Sequence, residues 1–337
     1  MTPADTPNPK PLVDDHGRAH TDLRISVTDR CNLRCYYCMP AEGVGFRSHT
    51  DMLSFEEIER LVRVAAGLGI RKVRLTGGEP LVRKGIVSLV EMLAAIPGIE
   101  DLAMTTNGTL LDQFAEPLKT AGLKRLNISL DSLDRETFEK ITRRDELDAA
   151  LEGIAAARRV GFEPIKLNAL AIRGLSEEQI VPLASFAREN GLLLRFIEFM
   201  PIDGDRRWKD NKVLGSEEIL KILTAGLGEL EPVVDNGSKA AAREYRFADG
   251  GIVGVIPSVS EPFCGNCNRL RLTADGQLRG CLFSTAQHDA RTLLRDSAAD
   301  DQLEQLFREA VGDKKKARGT HNGEFARPDE TMHQIGG

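Results

Sequence analysis

Six cysteines fall into two triplets, Cys31-x3-Cys35-x2-Cys38 near the start of the chain and Cys264-x2-Cys267-x13-Cys281 near its end. Three thiolates around an iron–sulfur cube leave one iron without a protein ligand, and an open iron can bind a small molecule. No seventh cysteine completes either set, so two open irons suggest two small molecules, one at each cluster. Other chemistries use the same residue type. Disulfides belong to small secreted chains, whereas this chain has 337 residues and no apolar leader run. Zinc accepts C-x2-C pairs, but neither triplet has a fourth cysteine or one of the six histidines (His16, His20, His49, His288, His321, His333) at finger-like spacing. A thioredoxin-type reading of Cys35-x2-Cys38 leaves Cys31 without a role.

Composition bounds what can surround such clusters. With 41% hydrophobic and 28% charged residues the chain is an ordinary globular one, long enough for one large domain or two. A net charge of −6 argues against a general nucleic-acid surface. No apolar run is long enough for a membrane span, and the expected setting is cytoplasmic. An anionic ligand stays compatible with this balance, because local Arg and Lys clusters set the field inside a cleft.

The elements that must position the triplets are legible as an alternation. Residues 1–20, with four prolines among polar residues, are expected to be disordered or extended. Strands are then expected near Leu23–Thr28, Lys72–Thr76, Leu102–Thr106, Arg125–Leu130, Ile165–Ile172 and Leu193–Phe199. Helical patterns separate them. Ser54-Phe-Glu-Glu57 reads as a capping box, and Gly161 and Gly191 follow two further helices as stop signals. Six β-then-α units imply a parallel sheet with right-handed crossovers. The expected fold is α/β: an incomplete (β/α)6 TIM-like barrel over residues 21–215, with a smaller C-terminal α+β region over 216–337 that carries the second triplet. Lys314-Lys315-Lys316 reads as a solvated helix face.

That layout gathers the chemically interesting residues at one end. Asp29-Arg30-Cys31, Gly77-Gly78-Glu79-Pro80, Thr105-Thr106-Asn107-Gly108, Ser129-Leu130-Asp131 and Glu198-Phe199-Met200 all follow or close strands, where barrels of this kind carry their active sites. Arg24, Arg74 and Lys166 are cations inside otherwise apolar strands. Singly each reads as a structural ion pair; three on three barrel strands favour an anion. The Gly-Gly pair alone reads as a tight βα turn, Ser129 as a strand-end hydroxyl and Met200 as core.

The cysteine triplet after strand one, combined with Gly77-Gly78-Glu79-Pro80, resembles the radical S-adenosylmethionine (SAM) superfamily. In that family the open iron of a [4Fe–4S] cluster chelates SAM, the Gly-Gly-Glu-Pro segment meets its amino group, and one electron releases a 5′-deoxyadenosyl radical. The resemblance narrows to the GTP 3′,8-cyclase family of molybdenum cofactor biosynthesis over nearly the whole length. It is carried by DLRISVTDRC ending at Cys31, RLTGGEP ending at Pro80, TTNG at Thr105, NISLD at Asn127, RFIEFM at Arg195, CGNCNRLR at Cys264, DGQLRGC ending at Cys281, and the terminal Gly336-Gly337.

The resemblance implies two [4Fe–4S] clusters, on Cys31, Cys35 and Cys38 and on Cys264, Cys267 and Cys281. It implies SAM-binding positions at Tyr37, Gly78, Ser129 and Met200, although Tyr37 also reads as simple packing over the cluster. GTP-binding positions fall at Arg24, Arg74, Thr105, Lys166, Arg269 and Arg271, with guanine on the second open iron. The chain has no G-x4-G-K-[ST] loop, so cations must hold the triphosphate. The reaction implied is a lyase-class ring closure: hydrogen leaves ribose C3′ and that carbon joins guanine C8. A reducing electron donor and, downstream, a cyclic pyranopterin monophosphate synthase are the implied metabolic partners. Gly336-Gly337 implies a tail that reaches the active site. Monomer and homodimer both remain open, as does the role of Trp208. A two-cluster enzyme acting on a peptide and a non-catalytic iron–sulfur electron-transfer protein stand as rivals; neither explains the barrel-top cations.

Overall fold

Strand alternation sets the architecture, because successive side chains of a strand point to opposite faces. The strands are β1 (Asp22–Ser26), β2 (Lys72–Thr76), β3 (Asp101–Thr106), β4 (Arg125–Ser129), β5 (Ile165–Ala171) and β6 (Leu193–Glu198). The structure, a computed structural model, describes residues 11–42, 44–234, 240–315, 320–321, 324–325 and 328–336. One strand face carries Leu23, Ile25, Val73, Leu75, Leu102, Met104, Leu126, Ile128, Leu167 and Phe196, all within one buried apolar cluster. Helices supply the other half of that cluster: α1 (Phe55–Gly67), α2 (Ile86–Ala94), α3 (Leu111–Thr120), α4 (Arg135–Thr142), α5 (Leu147–Arg159) and α6 (Glu177–Glu189). The capping box at α1 forms as expected: Glu57 N–H donates to Ser54 Oγ at 3.1 Å, and Ser54 N–H to Glu57 Oε2 at 2.7 Å. Gly161 and Gly191 follow α5 and α6 with φ of 81° and 67°, the left-handed conformation that ends helices.

All six strands run parallel in chain order, which gives the expected partial barrel. The later segment continues with α7 (Ser216–Leu227), β7 (Leu230–Pro232), β8 (Arg243–Phe247), β9 (Ile252–Ile256), β10 (Arg269–Leu272), β11 (Gln277–Arg279), β12 (His288–Asp289), α8 (Ala290–Arg295), α9 (Asp300–Gly312) and α10 (Met332–Ile335). Strand β9 pairs in parallel with β6, and β10 in parallel with β1. Both edges of the six-stranded core are thereby paired, and the sheet order reads β12-β11-β10-β1-β2-β3-β4-β5-β6-β9-β8-β7.

The expectation of a disordered or extended start over residues 1–20 fails from residue 11 onward; residues 1–10 lie outside the described set. Leu12 is buried in the core, and Val13 bridges Ala19. The Asp14 carboxylate accepts from the His16 and Arg18 backbone N–H groups and from Arg18 Nε. A carboxylate that closes its own turn orders a segment that composition alone reads as loose.

Candidate active site

The first triplet occupies the loop after β1. Cys38 and Met39 both donate their N–H to the Cys35 carbonyl at 2.9 Å, which curls the loop around the thiols. Leu33 N–H lies 3.4 Å from Cys31 Sγ, and Asn107 Nδ2 lies 3.8 Å from it. Burial pushes the Cys31 thiol up to about 12. It pushes Cys35 up as well, followed by Asp131, Cys31 and Cys38, and it pushes up Cys38, followed by Cys31. Cys31 raises both Cys35 and Cys38, and buried thiols disfavoured as bare anions fit a cationic cluster as partner.

Gly77 and Gly78 serve this loop in a way the sequence does not reveal. A Cβ at Gly78 would stand 2.3 Å from the Arg30 carbonyl oxygen, and one at Gly77 would stand 2.7 Å from that of Thr28. Gly78 N–H donates to Thr28 O at 2.7 Å and Glu79 N–H to Arg30 O at 2.8 Å. The close approach is thus to the chain entering the cysteine loop. Glu79 is buried; its carboxylate accepts from Leu81 N–H, Thr106 Oγ1 and Asn107 N–H. Burial raises its pKa to about 7 against those three donors. Tyr37 donates its hydroxyl to Asp131 Oδ2 at 2.6 Å, and Asp131 Oδ1 accepts from Leu170 N–H, so the ring is fixed across the ends of β4 and β5. Ser129 closes β4 opposite Asn168, and Met200 follows β6, its carbonyl accepting from Ile202 N–H at 2.8 Å. Trp208 is buried and donates Nε1–H to Phe199 O at 2.7 Å, packing with Phe199 and Ile172 beside Tyr36 and Tyr37.

The second face of the strands lines the barrel interior, and it is cationic. Arg24 lies in register between Arg271 on β10 and Arg74 on β2. Thr105, Asn127 and Lys166 align across β3, β4 and β5. Burial lowers the Arg24 guanidinium, and then Arg74, Arg271 and Arg269 lower it further. Burial and then Arg195 bring Lys166 down to about 8. Buried Nε atoms of Arg24, Arg74 and Arg195 have no hydrogen-bond partner among the described residues. Donors left over in a crowd of like charges fit a polyanion. Arg195 is a lumen cation beyond the implied GTP-binding positions. Its signal was the same as that of Arg24: a charge at an alternate position of a buried strand.

The second triplet sits beside β10. Cys267 N–H donates to Cys264 O at 3.2 Å, and Cys281 follows β11 two residues on. Burial opposes ionisation of Cys267, but Arg269 and Lys314 outweigh it and bring the thiol down to about 6. Cys267 and Cys281 both act on Arg271 and Lys314, so these thiols face the same cations. Lys314 is no solvated helix face: it is 4% exposed, past the end of α9, and Nζ donates to Arg269 O at 2.6 Å. Lys316 lies outside the described residues.

The chain's end also arrives here. Arg271 donates Nη1–H to Gly336 O. Gly336 has φ of 86°, and a Cβ there would lie 2.8 Å from both Ser26 Cβ and Thr76 Oγ1, at the ends of β1 and β2. His333 Nδ1 lies 3.3 Å from Cys38 O. Gly337 lies outside the described residues. Glu198, which closes β6, is wholly buried and accepts from Ser216, Val259 and Ser260 N–H and from Ser260 Oγ at 2.6–2.9 Å, tying the later segment to the barrel mouth.

The chain is similar to known proteins along nearly its whole length. Residues 25–187 match the radical SAM superfamily, and residues 192–320 match the Molybdenum Cofactor Synthesis C family. A GTP 3′,8-cyclase of Rhodopirellula baltica is 51% identical, covering 99% of this chain and 94% of the relative. One from Pelotomaculum thermopropionicum is 46% identical over 97% of this chain and 100% of its own. Among solved structures, Streptococcus suis SuiB bound to S-adenosylmethionine shares the fold with a TM-score of 0.60 at 18% identity, covering 87% of this chain and 69% of SuiB. Among the described residues no helix is long and apolar enough to cross a membrane. The chain is a radical SAM enzyme and belongs to the GTP 3′,8-cyclase family.

Proposed function

We propose that this chain converts GTP to (8S)-3′,8-cyclo-7,8-dihydroguanosine 5′-triphosphate in molybdenum cofactor biosynthesis. The observation that carries the reading is the cation-lined lumen, with guanidinium Nε donors that have no partner among the described residues, and with one cysteine triplet at the ends of its strands and the other beside β10. A [4Fe–4S] cluster and SAM, when bound, supply the 5′-deoxyadenosyl radical that removes hydrogen from ribose C3′. Cys31, Cys35 and Cys38 would hold that cluster, with Tyr37, Gly78, Ser129 and Met200 around SAM. Cys264, Cys267 and Cys281 would hold a second cluster that presents an iron to guanine. Arg24, Arg74, Thr105, Lys166, Arg269 and Arg271, joined by Arg195, neutralise and orient the triphosphate. The buried layer of Trp208, Phe199 and Ile172 keeps water from the reacting carbon. A reducing electron donor, a cytoplasmic setting and a downstream cyclic pyranopterin monophosphate synthase complete the reading.

Anaerobic incubation of reconstituted enzyme, reductant and SAM with GTP deuterated at C3′ tests it. Deuterium should appear in 5′-deoxyadenosine, together with a nucleotide isomeric with GTP. Undeuterated 5′-deoxyadenosine with unchanged GTP would count against the assignment.

The lumen gives a pH dependence whose sign follows from Lys166. Its ammonium titrates near 8 without an anion, and a triphosphate beside it favours the charged form. Binding is then full below pH 8. Above it, binding must take up a proton, and GTP affinity should fall by up to about tenfold per pH unit. Calorimetry from pH 7.5 to 9 should show that slope in wild type and a shallower one in Lys166→Arg.

The tail is read as an ordering element of the same site. Removing Gly336 and Gly337 takes away the acceptor of Arg271 and opens the cleft beside Ser26 and Thr76. Iron content and fold should persist while cyclised product falls strongly. Undiminished product over many turnovers of the truncated chain would make the tail dispensable.

A further inference from the structure

Lys314 is a buried cation with no part in the reaction as described, and a buried ammonium persists only with partners. Besides its bond to the Arg269 carbonyl, Nζ reaches Cys267 Sγ at 3.5 Å. Its backbone is fixed from the other end of the chain: Arg18 Nη2 donates to the Lys315 carbonyl at 2.8 Å and to the Lys314 carbonyl at 3.3 Å. The same guanidinium donates through Nη1 to the Cys264 carbonyl at 2.7 Å. Asp14 orients it, accepting from Arg18 Nε at 2.6 Å while lying 3.1 Å from His20 Nε2. The third ligand's segment passes close by: a Cβ on Gly280, the residue before Cys281, would stand 3.2 Å from Lys314 Cβ, so only glycine fits there. One bracket, built from residues 14–20 and 314–315, therefore bonds to the Cys264 carbonyl and the Cys267 sulfur and packs beside the segment that precedes Cys281.

We propose that Lys314, set in place by Arg18, is a positioning residue for the second cluster: it fixes the ligand loop and sets the cluster's reduction potential through its charge. The proposal rests on the two-cluster reading above. Three thiolates around a cube leave a net negative group, and reduction adds another negative charge. A cation at hydrogen-bond range to a ligand sulfur, in a buried setting, stabilises the reduced form more than the oxidised one. The potential therefore rises with Lys314 present. The same ammonium holds the Arg269 carbonyl, so it also ties down the backbone of a proposed phosphate ligand.

The test is an EPR-monitored redox titration of reconstituted holoenzyme. SAM alters the signal of the first cluster and so tells the two apart. Lys314→Met should move the midpoint of the second cluster to more negative values and leave the first unmoved, and Lys314→Arg should return it toward wild type. Loss of half the iron in Lys314→Met, restored in Lys314→Arg, supports the same role through geometry. A wild-type midpoint in Lys314→Met with full iron overturns the proposal, and so does an equal shift of both clusters. A wild-type chain that assembles only one cluster sinks the two-cluster reading first and the proposal with it.

Discussion

Gly78→Ala is expected to abolish reductive cleavage of SAM as fully as Cys35→Ala. The added Cβ would lie 2.3 Å from Arg30 O and 2.6 Å from Arg30 C. Both are backbone atoms, so no side chain can swing aside. Relief requires moving the loop backbone that leads into Cys31, which breaks the hydrogen bonds from Gly78 N–H to Thr28 O and from Glu79 N–H to Arg30 O. A displacement of even 1 Å in a site that depends on placement costs on the order of 10²-fold in rate. Here the displaced chain carries a cluster ligand. The measurement is 5′-deoxyadenosine formed with SAM and dithionite, beside iron content. Gly78→Ala working at wild-type rate would show that the loop tolerates the methyl and that the glycine's use lies elsewhere.

The second large effect is a separation of half-reactions. Cys267→Ala removes a thiol held beside Arg269 and Lys314, whereas the first triplet lies on the β1 loop with its own contacts. SAM cleavage should therefore persist, and cyclised nucleotide should fall by about 10²-fold or more, the scale on which metal sites respond to lost coordination or support. Efficient cyclisation by Cys267→Ala would exclude a substrate role for the second triplet. Equal loss of both activities would mean that the two sites fold as one unit.

What sequence could and could not convey follows from the range of the interactions involved. Helix starts and stops are local, and Ser54, Gly161 and Gly191 act where expected. Period-two alternation is also local, so the six strands were legible to within a residue or two. Alternation likewise marks Arg24, Arg74 and Lys166 as lumen residues. The pairings of β10 with β1 and of β9 with β6 join distant segments, and nothing within either strand announces its neighbour. Lys314 is hidden in the sequence for the same reason. Three consecutive lysines look like surface until the Arg269 carbonyl and Cys267 sulfur are brought to them. Asp14 and Arg18 were hidden by the prolines around them, although an Asp that accepts from the N–H four residues on is a recognisable turn.

The two faces of the barrel strands have a consequence for the lifetime of the protein. Apolar burial against the helices holds the fold together, while the lumen crowds Arg24, Arg74, Arg195 and Arg271 against one another and opposes it. Replacing the charge most crowded by its neighbours with a neutral side chain of similar volume, as in Arg24→Met, should raise the melting temperature of the nucleotide-free protein even as GTP binding is lost, a gain of about 1 kcal/mol or more. GTP exerts the opposite influence on wild type, since a ligand that binds only the folded state stabilises it by mass action. Limited proteolysis at graded GTP concentrations should track this balance. The form most exposed to degradation is then the enzyme waiting for substrate, so a fall in the nucleotide pool would thin the enzyme itself as well as its flux.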